Sequence, residues 1–420
     1  MPCWYAEYQR KRQRLMPKQR LHDNLITERT RTIHYAIRDV VVTAKKLEAK
    51  GRRVTYLNIG DPLVYDFKTP SFIVDAFCDA ARRGLNGYAD SAGVRDFQEA
   101  VVEKEHRYNK VTINPDDVVA TAGISEGIQM MMATLVHPGS EVLLPGPAYP
   151  PYLAFVRFFD GVPRTYRCIE EEGWRPDIDD LRAKITEKTA AIVVINPNNP
   201  TGAVFPAKTI RAFLDVAGEY GIPLISDEVY DRLTYDQSTT SAAALAKDVP
   251  VIGFNGLSKV YLVPGWRVAY MYFYHPQGEL AEVREHILRQ ARIRICANAP
   301  AQYAASVALR GSPAYLKDVL ARLRVRRDLC WQRLNEIDGI STAKPEGAFY
   351  IFPKVELGNR WKTDEQFTLD LLEKTGVLVV HGSGFDPTYG AGHFRLVFLP
   401  PPETLEPALE AIQQFMEQGQ

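Results

Sequence analysis

The chain is poor in cysteine, has no surplus of either charge and contains no long apolar run. Each shortage closes off a class of protein. Its five cysteines (Cys3, Cys78, Cys168, Cys296 and Cys330) are scattered through 420 residues, with no Cys-x-x-Cys spacing and no histidine cluster beside them. An odd, dispersed set in so long a chain reads as reduced thiols of a cytoplasmic protein, and neither a disulfide framework nor a metal site is expected. Lys+Arg and Asp+Glu each number 51, so no global field favours nucleic acid or an anionic membrane. No apolar run approaches bilayer length, and no signal-peptide pattern opens the chain. Internal repeats and low-complexity segments are absent as well.

What is present is an ordinary soluble composition, 46% apolar and 24% charged, in a chain long enough for two domains. The first thirty residues are basic (Arg10, Lys11, Arg12, Arg14, Lys18, Arg20 and Arg29) but lack a hydrophobic face. They read as a solvated extension in preference to a nucleic-acid arm. Apolar residues at helical spacing (Ile37, Val40, Val41, Ala44, Leu47) predict a helix over 35–49, and 54–59 reads as a strand stopped by Gly60-Asp61-Pro62. Strands are expected at 118–122, 141–144, 190–195, 222–226 and 251–254, alternating with helical segments such as 125–135. That alternation predicts an α/β fold, a mostly parallel sheet with helices on both faces. Residues 300–334 read as one long helix. Strands at 349–352, 377–380 and 394–398 then indicate a smaller α+β domain.

The chemistry-bearing residues fall at the expected strand ends. Lys259, in Asn255-Gly256-Leu257-Ser258-Lys259, follows the buried run 251–254, and α/β proteins keep their chemistry at such carboxyl ends. An amine held there can form a Schiff base with a carbonyl. That is the linkage of pyridoxal phosphate (PLP), whose ring nitrogen takes an acidic partner. Asp227, in Ser226-Asp227-Glu228-Val229-Tyr230, either caps the next helix or keeps a pyridine nitrogen protonated, with Tyr230 in reach of the phenolic oxygen. Asn196-Pro197-Asn198-Asn199-Pro200-Thr201-Gly202 forces a tight turn, where Asn199 could donate to an oxyanion. Gly123, Ile124 and Ser125 link a strand to a helix, and free N–H groups there make an anion site. Arg267 offers a bidentate phosphate partner or a surface ion pair, and Ser258 a hydroxyl. Tyr149 could stack on a planar ring or fill the core. Arg395, inside the apolar strand 394–398, requires a buried anion, either an internal acid or a substrate carboxylate.

Taken together, Asn-Pro-Thr-Gly, Ser-Asp-Glu-x-Tyr and Ser-Lys followed by Gly265-Trp266-Arg267, in that order, resemble the class I aminotransferases of the fold-type I PLP family. The resemblance runs from about Tyr35 to the C-terminus. It is strongest to archaeal-type alanine aminotransferases, through stretches such as Leu57-Asn58-Ile59-Gly60-Asp61-Pro62 and His381-Gly382-Ser383-Gly384-Phe385. It implies a seven-stranded-type sheet and four segments: an extension (1–34), the start of a small domain (35–69), a large PLP-binding domain (70–315) and the C-terminal small domain (316–420). It implies that Lys259 carries PLP and shuttles the substrate proton, and that Asp227 holds the pyridinium. Asn199 and Tyr230 would bind the phenolic oxygen, and Tyr149 would stack on the ring. Ser258, Arg267 and the Gly123–Ser125 turn would hold the phosphate, with Tyr88 reaching over from the partner of a homodimer. Gly60, Asn199 and Arg395 would grip the substrate carboxylate. Many relatives carry serine three residues before the lysine, where this chain has Gly256.

The reaction implied is ping-pong transfer of the amino group between L-alanine and 2-oxoglutarate. Aromatic, branched-chain or methionine transamination and carbon–sulfur lysis are the alternatives on the same residues. Arg292 and Arg294 read as helix-face arginines, with a cation for a distal carboxylate as the alternative role for one of them, and Ile37 and Arg38 are lid candidates.

Overall fold

The computed structural model describes residues 26–31, 33 and 35–418. The basic residues from Arg10 to Arg20 lie outside the described residues. In chain order the strands are β1 (Thr55–Tyr56), β2 (Val118–Thr121), β3 (Glu141–Gly146), β4 (Val162–Ile169), β5 (Arg175–Pro176), β6 (Thr189–Ile195), β7 (Leu224–Asp227) and β8 (Val251–Gly256). They continue with β9 (Ala269–Tyr274), β10 (Ile340–Ser341), β11 (Tyr350–Ile351), β12 (Lys354–Val355), β13 (Val377–Leu378), β14 (Val380–His381) and β15 (Phe394–Val397).

Eight of them form one sheet in the order β2-β9-β8-β7-β6-β3-β4-β5. β4, β3, β6, β7 and β8 are parallel, β9 is antiparallel to β8 and β2, and two-residue β5 adds an antiparallel edge to the expected seven. A parallel sheet must be covered on both faces, and successive side chains supply the two faces. Leu143, Ile192, Val194 and Leu224 enter one apolar cluster. Their neighbours Val142, Leu144, Val193 and Ile225 enter the other, with Ile287 and Ala291 from the helix Ala281–Arg294. Between β3 and β6 the chain leaves for β4 and the β5 edge and returns, so a crevice opens at the carboxyl ends there.

The smaller domain is α+β. Its β15 lies between β11 and β14, and β1 pairs in parallel with β13, joining the N-terminal segment to the C-terminal part. The helix Ala36–Glu48 packs on β14.

Three expectations need correction. The strand expected at 54–59 shortens to β1, because the chain beyond it turns its carbonyls toward the site: Asn58 O accepts from Arg395 and Gly60 O from Lys259. The helix expected at 300–334 is two, Ala299–Arg310 and Tyr315–Asn335. Gly311-Ser312-Pro313 separates them; Pro313 has no N–H to donate, and a Cβ on Gly311 would stand 2.6 Å from the Phe72 ring. The strand expected at 141–144 runs on through Pro145 to Gly146, held in register by β4.

Among the described residues the cysteines Cys78, Cys168, Cys296 and Cys330 are free, no group of His, Cys, Asp and Glu could hold a metal ion, and no helix is long and apolar enough to cross a membrane.

Candidate active site

The carboxyl ends of the parallel strands deliver most of the expected residues to one cavity of about 430 Å³. Its lining includes Ile124 and Ser125 after β2, Tyr149 after β3, Asn199 after β6, Asp227 and Tyr230 at β7, and Ser258 and Lys259 after β8. Arg267 arrives just before antiparallel β9. Arg395 comes from β15, and Gly60 from the loop after β1. Of the residues expected to act in catalysis or to hold the cofactor and α-carboxylate, only Gly123 and Tyr88 are outside that lining. Gly123 backs it, and Tyr88 is 85% exposed, away from the cavity of its own chain.

Lys259 Nζ donates to Gly60 O at 2.7 Å. Loss of solvent pulls its pKa from 10.5 to about 8; the Asp61 carboxylate opposes that, and the nearby Arg395, Arg267 and Arg38 charges add to it. Asp227, 3% exposed, accepts from the Tyr152 hydroxyl at 3.1 Å and the Val229 amide at 3.3 Å. Burial raises its pKa from 3.8 to about 6, and these two neutral donors only partly offset the cost. Its chain neighbour Glu228 points away into the core, accepting from Ser226, Ser241 and the Ala242 amide.

At the opposite wall Arg395 is 2% exposed and donates to Asn199 Oδ1 at 3.0 Å and to Asn58 O. Among the described residues no carboxylate lies within ion-pair distance of it, so an internal acid does not explain its burial. Its guanidinium instead faces the rings of Tyr350 and Phe385, 4.6 and 4.9 Å from their centres, and Nε has no hydrogen-bond partner. Asn199 is held by the turn expected of its sequence. Thr201 donates to Asn198 Oδ1, and Gly202, at φ +73°, passes where a Cβ would meet Pro345 and the Tyr350 carbonyl at 2.7 Å.

The third corner is the start of the helix Ile124–Leu135. Gly123 takes φ +81°, and a Cβ there would come within 1.9 Å of Arg267 Nη2. Arg267 thus lies across the helix N-terminus, fixed by bonds to Pro264 O (3.0 Å) and Ala122 O (3.3 Å). Free amides, the helix dipole and a guanidinium together make an anion cradle. Gly256 packs against Ala269, whose Cβ would be 2.7 Å from a Cβ at 256, so a side chain there would need the sheet to shift.

Sequence reasoning missed Tyr350, Tyr35 and Tyr152. Tyr350 lines the cavity and shares a 2.7 Å hydrogen bond with the Tyr230 hydroxyl. It lies in a strand that was expected, in Ala348-Phe349-Tyr350-Ile351, where a hydroxyl among apolar neighbours was the available signal. Tyr35 lines the cavity beside Tyr149. Tyr152, on the helix Pro150–Phe158, is completely buried behind Asp227 and is visible only in three dimensions. Arg292 and Arg294 are absent from the lining. Arg292 pairs with Glu285 at 3.0 Å, and Arg294 with Glu126 at 2.7 Å. The further cation that does line the cavity is the exposed Arg38.

The arrangement fits PLP. The cradle suits a phosphate, and Lys259 supplies an amine of lowered proton affinity. The buried Asp227 carboxylate has only neutral donors, so a protonated ring nitrogen would complete its pairing.

Comparison with known proteins agrees. The model of the family "Aminotransferase class I and II" matches residues 52–412. The chain is 40% identical over 381 residues to an alanine aminotransferase of Mycobacterium tuberculosis, covering 89% of this chain and 88% of the relative. It is 36% identical over 389 residues to the glutamate–pyruvate aminotransferase of Escherichia coli, covering 91% and 95%. The solved structure of an alanine aminotransferase from Pyrococcus furiosus superposes with a TM-score of 0.92 at 54% identity, over 94% of this chain and all of that one. The chain belongs to the class I and II aminotransferases, PLP-dependent enzymes of fold type I.

Proposed function

We propose that the protein transfers the amino group between L-alanine and 2-oxoglutarate, giving pyruvate and L-glutamate, with donor and acceptor using the one cavity in turn in a ping-pong cycle. Bound PLP supplies an electron sink for the charge left when the substrate Cα loses its proton.

The chain's own residues do the rest. Lys259 holds the cofactor through its amine. Once displaced by the donor, that amine takes the Cα proton and returns it on the cofactor side. Burial lowers its pKa to about 8 in the empty site, which favours the neutral, proton-accepting amine more than in an ordinary lysine. Asp227 keeps the ring nitrogen protonated, steadied by Tyr152. Asn199 and Tyr230 bind the phenolic oxygen, and Tyr149 stacks on the ring. Gly123, Ile124, Ser125, Ser258 and Arg267 hold the phosphate. Tyr88, exposed on its own subunit, completes the phosphate site of the partner in a homodimer. Arg395, oriented by Asn199, binds the α-carboxylate beside the Gly60 backbone.

The substrate pair rests on Arg38. Lys259, Arg267 and Arg395 are committed to amine, phosphate and α-carboxylate, which leaves Arg38, exposed on the cavity lining, for the distal carboxylate of 2-oxoglutarate. Alanine needs no such partner, since its methyl group carries no charge. The names of the relatives support the same pair. The test is a panel of L-amino acids added singly to the holoenzyme while the cofactor's absorbance is followed. Alanine and glutamate should each convert it. Conversion by aromatic or branched donors but not by alanine would refute the substrate pair.

A further inference from the structure

Tyr350 stands between two groups with assigned tasks. Its hydroxyl lies 2.7 Å from that of Tyr230, and its ring lies 4.6 Å from the Arg395 guanidinium carbon. All three side chains are buried. The Tyr230 and Tyr350 rings meet edge to face, 5.7 Å between centres at 88°. Position 60 is shaped around the same hydroxyl: a Cβ there would be 2.4 Å from Tyr350 Oη. Gly60 also carries the carbonyl that accepts from Lys259. β11 pairs with β15, which fixes Tyr350 relative to Arg395, while Tyr230 follows β7 of the large sheet. The hydroxyl pair therefore spans the two parts of the site.

A hydroxyl pair has one bond and two possible directions. The charges around it decide which oxygen donates. Burial makes both hydroxyls hold their protons more tightly; at Tyr350 the Arg395 cation opposes that rise while Tyr35 adds to it, whereas at Tyr230 both Tyr149 and the Asp227 carboxylate add to it. Tyr350 is thus the better donor and Tyr230 the better acceptor. Tyr230 then has its own proton free to donate into the cavity, and accepting one hydrogen bond strengthens the one it gives.

We propose that Tyr350 is a positioning residue that donates its hydroxyl proton to Tyr230 and so strengthens the hydrogen bond Tyr230 gives to the cofactor's phenolic oxygen, lowering the proton affinity of the bound cofactor. This rests on the reading that Tyr230 faces that oxygen. It also gives Arg395 a second line of influence, since an anion on Arg395 weakens the field at Tyr350 and relaxes the Tyr230 bond.

The test is a spectrophotometric pH titration of the holoenzyme without substrate, for wild type, Tyr350→Phe, Tyr230→Phe and the double variant. Phenylalanine keeps the ring, and melting curves verify that each variant is folded. Tyr230→Phe should raise the pH at which the cofactor absorbance changes by about 1–2 units, the worth of a charge-assisted hydrogen bond. Tyr350→Phe should raise it by roughly 0.1–0.6 unit, from a strengthening of about 10–30% in that bond. In the Tyr230→Phe background the second substitution should move nothing. A downward shift in Tyr350→Phe would mean that Tyr230 is the donor, which overturns the proposal. No shift there, with Tyr230→Phe still displaced, overturns it and leaves the reading of Tyr230 intact. No shift in either variant overturns both.

Discussion

Arg395→Lys tests how the site recognises amino acids. Arg395 is buried, bonded to Asn199 Oδ1 at 3.0 Å and to Asn58 O, and close to the rings of Tyr350 and Phe385. A planar guanidinium can keep these bonds and still offer a fork to a carboxylate. Lysine keeps the charge but has one nitrogen and no plane. Losing one or two charge-assisted bonds costs about 2–4 kcal/mol, roughly 30- to 1000-fold in kcat/KM for L-alanine. A carboxylate is bound alike before and during reaction, so the loss should fall mainly on KM. Steady-state kinetics with alanine should be paired with a primary alkylamine that has no carboxylate, for which wild type and variant should converge. The reasoning is refuted if kcat/KM for alanine stays within about threefold of wild type in a folded variant.

Three further outcomes follow from the same geometry. In the apoprotein the folded state binds the Asp227 proton more readily than the unfolded chain does, because its pKa is raised from 3.8 to about 6. Stability from this group therefore falls as pH rises through that window, and above it the ionised carboxylate costs up to about 3 kcal/mol. Asp227→Asn should raise the Tm of the apoprotein at pH 7.5 and weaken PLP binding; a lowered apoprotein Tm would contradict this. Gly123→Ala places a methyl group 1.9 Å from Arg267 Nη2 at φ +81°, so the Kd for PLP should rise at least tenfold, measured by fluorescence titration of the apoprotein. Unchanged affinity would remove Arg267 from the phosphate cradle. Arg38→Ala should raise KM for 2-oxoglutarate and glutamate by about tenfold or more and leave alanine and pyruvate nearly unaffected, as loss of one ionic contact implies. Equal effects on both pairs would leave the distal carboxylate without its partner.

How much of this was legible in the sequence depends on what carried each signal. β6, β7 and β8 are continuous apolar runs closed by turn residues, so their ends, and with them Asn199, Asp227 and Lys259, could be placed directly. β4 was not expected. It lies next to the sheet edge, with β5 paired only to its last two residues; its first half alternates exposed and half-buried residues, and it carries Arg164 and Arg167, a pattern with little apolar content. β9 was also missed, though Ala269–Tyr274 is buried almost throughout and its apolar run was available to be read. Residues that reach the site only through tertiary contact, such as Tyr152 behind Asp227 and Tyr35 beside Tyr149, carry no local mark of it. Of the two readings open for Arg292 and Arg294, the structure supports helix residues paired with carboxylates of their own chain, Glu285 and Glu126.

The most direct test of the account is a single-turnover experiment in which the holoenzyme meets L-alanine without an acceptor and the products are counted. One pyruvate per active site, no ammonia, and a matching amount of L-glutamate on later addition of 2-oxoglutarate is the expected result. Pyruvate beyond one equivalent with ammonia released would make the protein a lyase, and no pyruvate at all would contradict transamination of alanine.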